Sequence, residues 1–115
     1  MMTDCVFCNI SSGKAASSKV YEDDTVFAFH DIHPRAPVHI LIVPKKHYTS
    51  LNDLTEADEQ LAGHILLTAS KIACQQGIAA RGYRVIVNTG VEGGQVVQHL
   101  HLHLLGGRYI TERTI

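Results

Sequence analysis

The chain has 115 residues, 45% of them hydrophobic, which is enough apolar material for one packed core of ordinary domain size and too much for a disordered chain. Its formal net charge of -1, from 10 basic and 11 acidic side chains, excludes broad electrostatic capture of nucleic acid or an anionic membrane, but leaves room for a small pocket that takes one phosphorylated ligand. The longest uninterrupted apolar run, residues 40–44, falls far short of the ~20 residues a membrane helix needs.

In chain order, the opening MMTDCVFCNI lacks the basic and apolar regions of a signal peptide. Two cysteines stand as Cys5-x-x-Cys8 and a third, Cys74, stands alone, which is not the pattern of a secreted disulfide framework. A reducing, cytoplasmic setting is expected. No internal repeat, low-complexity tract or linker interrupts the sequence, so residues 1–115 are expected to form a single domain. Residues 5–12 suit a short helix closed by Gly13. Residues 19–22 and 25–30 read as two strands around the Asp23-Asp24 turn. Residues 31–37 carry two prolines and read as a rigid loop, and residues 39–43 as a buried strand ending at Pro44.

The clearest helix spans residues 56–76. Thr55 and Asp58 resemble a capping box, Gly77 is placed as a stop, and Leu61, Ile65, Ala69 and Ile72 recur at helical spacing. Residues 83–89 form a further strand candidate, followed by the glycine-rich Gly90-Val91-Glu92-Gly93-Gly94 loop. An α+β fold with a mostly antiparallel sheet follows from this order. His64 is expected as an exposed helix residue, His33 as a loop residue, Lys45 and Lys46 as a solvated strand end, and Cys74 as a packing residue.

The most informative stretch is HLHLHLL at residues 99–105. In a strand, His99, His101 and His103 share one face and Leu100, Leu102 and Leu104 the other. The leucine face then meets the apolar stripe of the long helix. Chance exposure explains one outward histidine far better than three in strict alternation. Two chemistries remain. The face could be a three-histidine metal site. Alternatively the middle imidazole is a nucleophile or base: cationic neighbours depress one another's pKa, and a neutral ring nitrogen can attack phosphorus. The preceding Gly93-Gly94-Gln95 suits close approach of backbone amides to phosphate oxygens. Cys5 and Cys8 admit three readings: buried thiols, a redox pair, or half of a zinc site. A thioredoxin-like pair needs a preceding strand, which is missing. Zinc needs two further ligands, for which His47 and His99 are the best-placed donors. In that case the metal braces the segment that presents His101.

Residues 99–105 fit the His-x-His-x-His pattern of the histidine triad superfamily, and the resemblance covers nearly the whole chain. It extends through Tyr21-Glu22-Asp23-Asp24, Phe29-His30-Asp31-Ile32, Pro37-Val38-His39, Val43-Pro44-Lys45-Lys46-His47 and Gly93-Gly94-Gln95. Asn88 and Gly106-Gly107-Arg108 resemble the Hint branch, the purine nucleoside phosphoramidases. The Fhit branch, which cleaves dinucleoside polyphosphates, usually has Gln at the position of Asn88 and Pro after the triad. The aprataxin branch carries a basic DNA-binding extension not found in these residues.

The resemblance implies a sheet of about five strands with one long helix and a short N-terminal helix, paired across a two-fold axis as a homodimer. It implies a hydrolase of purine nucleoside 5'-phosphoramidates, with His101 as the nucleophile that forms a nucleotidyl-histidine. The His99 carbonyl would hold the His101 tautomer, and His39 would support the triad. His103, with the backbone of Gly94, Gln95 and Val96, would bind phosphate oxygens. Asp31 would bind the ribose hydroxyls, Ile32 would flank the nucleoside, Asn88 would face the ribose–phosphate end, and Phe7 would wall the base. Cys5, Cys8, His47 and His99 would hold a structural zinc, a set typical of bacterial members and missing from many animal ones. No organic cofactor, nucleic acid or membrane partner is implied. Many Hint proteins have Ser where Val96 stands, so the preference for the leaving group is open. The alternatives are a dinucleoside polyphosphate hydrolase using the same intermediate, and a nucleotide-binding interaction module with incidental turnover. The tail from Arg108 onward resembles segments that reach a partner's active site.

Overall fold

The computed structural model describes residues 3–111. Five strands, β1 (Lys19–Glu22), β2 (Val26–His30), β3 (Val38–Pro44), β4 (Arg84–Ile86) and β5 (Leu102–Gly106), form one sheet in the order β1-β2-β3-β5-β4. Every neighbouring pair is antiparallel. Two α-helices accompany the sheet, α1 (Val6–Ser11) and α2 (Glu59–Gln75). This is the expected α+β architecture with one long and one short helix.

Side-chain alternation along the strands divides the core in two. Val26, Ala28, Ile40, Ile42, Leu102 and Leu104 face α2 and pack on its Ile65, Ala69 and Ile72, with Leu61 at the margin. On the other face Phe27, Phe29, Leu41 and Val43 meet Phe7 of α1. Strand β3 is apolar on both sides because it is covered on both, which is why its sequence reads as a continuous apolar run. His39 shares its face with Leu41, and Leu41 lies opposite His103 in the ladder, so both histidines emerge on the α1 side. No described helix is long and apolar enough to cross a membrane.

Local chemistry sets the element ends. Cys5 caps α1, its Sγ accepting the Cys8 amide at 3.3 Å. Thr55 and Asp58 form the expected capping box, but the first turn, Glu56–Asp58, is 3-10 and the α-helix proper starts at Glu59. Beyond β5, Gly107 has φ 91°, and a Cβ there would come within 2.8 Å of Pro37, so only glycine lets the chain end lie against the loop of residues 31–37.

Several expectations are corrected. The ladder of β5 begins at Leu102, so His99 and His101 precede the strand. Continued pairing would place Pro44 beside this segment, but Pro44 has no N–H to give, and its carbonyl accepts instead from His99 Nε2 at 2.9 Å. The candidate strand at residues 83–89 narrows to Arg84–Ile86, because its partner leaves the ladder at the same level. Cys74 is exposed, not packed. His64 is only half-exposed: its Nε2 lies 2.6 Å from Asp23 Oδ2, which also accepts from Tyr21 Oη at 2.7 Å. Burial opposes ionisation of Asp23, but the bonds from Tyr21, Thr25, His64 and Val26 hold its carboxyl well below the usual range, tying α2 to the β1–β2 turn. Lys45 pairs with Glu22 at 2.7 Å.

Candidate active site

The segment before β5, the start of β3 and the loop between β2 and β3 bring four imidazole and carboxylate groups together on the α1 face. His101 donates its Nδ1–H to the His99 carbonyl at 2.7 Å, which leaves Nε2 with the free lone pair. Its ring stacks edge-on against Phe7 at 5.1 Å and lies 4.9 Å from the ring of His103. Burial pushes its pKa below the usual imidazole range, against the hydrogen bond to His99 and the charge of Asp31, which both raise it. A neutral imidazole with a defined unprotonated nitrogen is the form that can act as a nucleophile.

The protons on His39 and His103 follow from one backbone bond. The Arg35 amide can only donate, and it points at His39 Nδ1 from 3.0 Å. Neutral His39 therefore carries its proton on Nε2, which lies 3.0 Å from His103 Nδ1 and 3.4 Å from Asp31 Oδ2. His103 Nδ1 thus accepts, and its own proton sits on Nε2. Burial lowers the pKa of His39, with Asp31 opposing and Arg35 adding to the shift. Burial, followed by the neighbouring His101 and His39, pushes that of His103 down to about 4. The site at neutral pH therefore holds three uncharged imidazoles, one with a lone pair to give and one with an N–H to donate.

These groups line a cleft of about 770 Å³, within the ~300–1,000 Å³ usual for small-molecule sites. One wall is apolar, made by Phe7, Ile10, Phe29, Leu41 and Val97. Asp31, Ile32, Asn88, Gly94 and Val96 line it too. Ile32 and Val96 are 85% and 88% exposed, so each offers apolar surface to whatever occupies the cleft. Asn88 Nδ2 donates to the Gly93 carbonyl at 2.8 Å, and a Cβ on Gly93 would fall 2.2 Å from the Thr89 carbonyl oxygen; the turn closes only with glycine there. Gln95 is buried and does not line the cleft: its amide nitrogen donates to Thr49 O at 2.6 Å and Val97 O at 3.0 Å, and its Oε1 accepts the Gly90 amide at 2.9 Å. The side chain braces the loop whose backbone faces the cleft.

The four residues proposed from sequence as metal ligands converge separately. Cys5 Sγ, Cys8 Sγ and His47 Nδ1 lie 3.2, 3.5 and 3.1 Å from His99 Nδ1. His99 gives its Nε2–H to Pro44, so the nitrogen in the cluster is the unprotonated one, as ligation requires. Burial, then the hydrogen bond with and the charge of Cys5, raise the Cys8 thiol to about 11, so a metal must displace its proton. Asp31, His39 and His103 also come within metal-ligand distance of one another. That grouping does not fit a metal, because the His39 nitrogen turned toward the others is protonated. Among the described residues the face His99, His101, His103 does not form a three-histidine metal group: His99 turns into the cysteine cluster and His101 and His103 into the cleft.

Sequence reasoning missed Arg35, both for its amide, which fixes the His39 tautomer, and for its position lining the cleft. Its only signal was its place between two prolines in a loop next to Asp31.

Residues 12–110 match the family model described as HIT domain. The purine nucleoside phosphoramidase of Escherichia coli (strain K12) is 48% identical over 108 residues, covering 94% of this chain and 91% of that protein. A HIT family hydrolase from Legionella pneumophila has a similar structure, with a TM-score of 0.93 at 45% identity over 96% of this chain and 99% of that one. A histidine triad protein from Clostridium difficile gives a TM-score of 0.93 at 48% identity over 97% of each chain. The chain belongs to the HIT domain family.

Proposed function

We propose that the protein is a purine nucleoside phosphoramidase working through a covalent nucleotidyl-His101 intermediate. The observation that carries this is the His101 ring in the cleft with Nδ1 committed to the His99 carbonyl. The E. coli relative, named for this activity and 48% identical, supports the substrate class. The His101 Nε2 lone pair attacks the α-phosphorus, the P–N bond breaks, and the amine leaves with its electron pair and takes up a proton. Water then attacks phosphorus, the P–Nε2 bond breaks, and a 5'-monophosphate is released while the water's proton balances the one the amine took. His103 Nε2–H and the Val96 amide donate to phosphoryl oxygens, where charge grows, while the Gly94 and Gln95 amides hold the loop closed through the Val91 and Gly90 carbonyls. Asp31 accepts from the ribose hydroxyls, with Asn88 at the ribose–phosphate end. Phe7 and Ile32 hold the base.

Cys5, Cys8, His47 and His99 form the donor set of a structural Cys₂His₂ zinc site. When bound, the ion links α1 and the end of β3 to the residue whose carbonyl orients His101. We read the assembly as a homodimer. Leu66 and Leu67 are 59% and 71% exposed on α2, and β4 is an edge strand, so both offer surface to a second copy. The match to residues 12–110 supports one domain, and the free Cys5, Cys8 and Cys74 support a reducing, cytoplasmic setting. Of the tail expected to reach the partner, residues 112–115 lie outside the described residues.

Steady-state hydrolysis of adenosine 5'-phosphoramidate by wild type and His101→Ala tests the reading. The variant is expected to lose about 10⁴-fold or more in rate while still binding AMP. Equal rates in the two proteins contradict it.

A further inference from the structure

The reaction places a negatively charged phosphoryl group beside His39 and His103, imidazoles that burial keeps neutral. The cleft's carboxylates, Asp31 and Glu92, add negative charge rather than offset it. Hydrogen-bond donors alone then face the charge that builds on the non-bridging oxygens. Among the described residues that line the cleft, Arg35 is the only lysine or arginine, and its charge is permanent at any physiological pH.

Its placement is built. The Arg35 amide donates to His39 Nδ1 at 3.0 Å, and its carbonyl accepts from Arg108 Nη2 at 2.5 Å. With both ends of the residue held, the side chain starts from a fixed point beside the His39–His103 pair. Its charge reaches that pair, depressing the pKa of both imidazoles.

We infer that the Arg35 guanidinium binds the phosphoryl oxygens of the substrate and stabilises the charge that develops on them as the P–N bond breaks. A guanidinium offers a planar fork of donors matched to two oxygens of one phosphoryl group. His103 Nε2–H supplies a further donor, so the oxygens are held by one charged and one neutral group. Arginine makes and breaks no bond here, and its proton stays in place. The assignment rests on the nucleotide reading above and adds a catalytic residue to it.

Arg35→Gln removes the charge and leaves both main-chain bonds available, so the loop keeps its anchors. The test is calorimetric binding of AMP and of adenosine to wild type, Arg35→Gln and Arg35→Lys, alongside kcat/KM for adenosine 5'-phosphoramidate. Wild type is expected to prefer AMP over adenosine. Arg35→Gln should shrink that preference about tenfold or more with adenosine affinity unchanged, and should lower kcat/KM by about 10²-fold. Arg35→Lys should recover part of both. A variant that keeps the full preference for AMP, or that loses AMP and adenosine equally, overturns the inference and leaves the nucleotide reading standing. Wild type that binds neither ligand overturns that reading, and the inference with it.

Discussion

His101 and His103 sit two positions apart and do opposite things, and the difference lies in which ring nitrogen is committed. His101 gives up Nδ1 to its neighbour's carbonyl and keeps a lone pair on Nε2; His103 accepts at Nδ1 and keeps a proton on Nε2. The alternation of histidines was legible in the sequence, and so was the case for one neutral ring. The bond from His101 to the His99 carbonyl was implied by the family resemblance, but the His103 tautomer was not legible, because it depends on a backbone group brought up from elsewhere, the Arg35 amide acting through His39. The same groups make stability depend on pH. His103 is held at about 4 in the fold, by burial first and then by His101 and His39, with Asp31 opposing and Arg35 adding to the shift, against about 6.5 when unfolded. The unfolded chain therefore binds the proton first as pH falls. Stability from this residue is complete above about pH 6.5 and is lost progressively down to about pH 4, by about 3 kcal/mol. His39, shifted in the same direction, adds to the loss. Denaturant unfolding between pH 7 and pH 4 checks this in wild type and His103→Gln. The variant is expected to show a shallower decline; parallel curves would rule out His103 as the source of the loss.

Elements were more legible than residues. The long helix, its capping box and its apolar stripe follow from local spacing, and α2 packs through that stripe as expected. The end of β5 was not legible, since the period-2 pattern of residues 99–105 continues past the point where the ladder stops. What breaks the ladder is Pro44, distant in sequence, whose carbonyl takes the His99 side chain instead of a strand amide. That break turns His99 toward Cys5, Cys8 and His47 while His101 stays in the cleft. His99 thus joins the Cys5, Cys8 and His47 cluster to the cleft, its ring facing the first and its carbonyl holding His101 in the second. Metal analysis of the purified protein is expected to return about one zinc per chain. Cys8→Ser should lower both zinc content and the melting temperature. Unchanged melting after complete removal of metal would sink the structural role of the ion.

At the scale of the molecule, the two faces of the sheet have separate tasks. One is closed by α2 and carries the larger apolar cluster; the other carries α1, the smaller aromatic cluster and the cleft. Strand alternation made this division legible, since it set the leucines of residues 99–104 against the long helix and the histidines on the opposite face. What lies on the outer side of α2 is not readable from periodicity, which marks the buried stripe and leaves the rest as surface. Leu66 and Leu67, off that stripe, stay exposed, and β4 is an edge strand. Sedimentation velocity is expected to give a dimer for wild type and a shift toward monomer for Leu67→Glu, since a buried unpaired carboxylate is costly at an apolar contact. A wild type that sediments as a monomer across the micromolar range contradicts the dimer.

Covalent catalysis by His101 is tested by intact-protein mass after rapid quenching with adenosine 5'-phosphoramidate, wild type beside His101→Ala. A transient adduct of one AMP is expected on wild type and not on the variant. An adduct on both, or none on either with turnover unchanged, would contradict it.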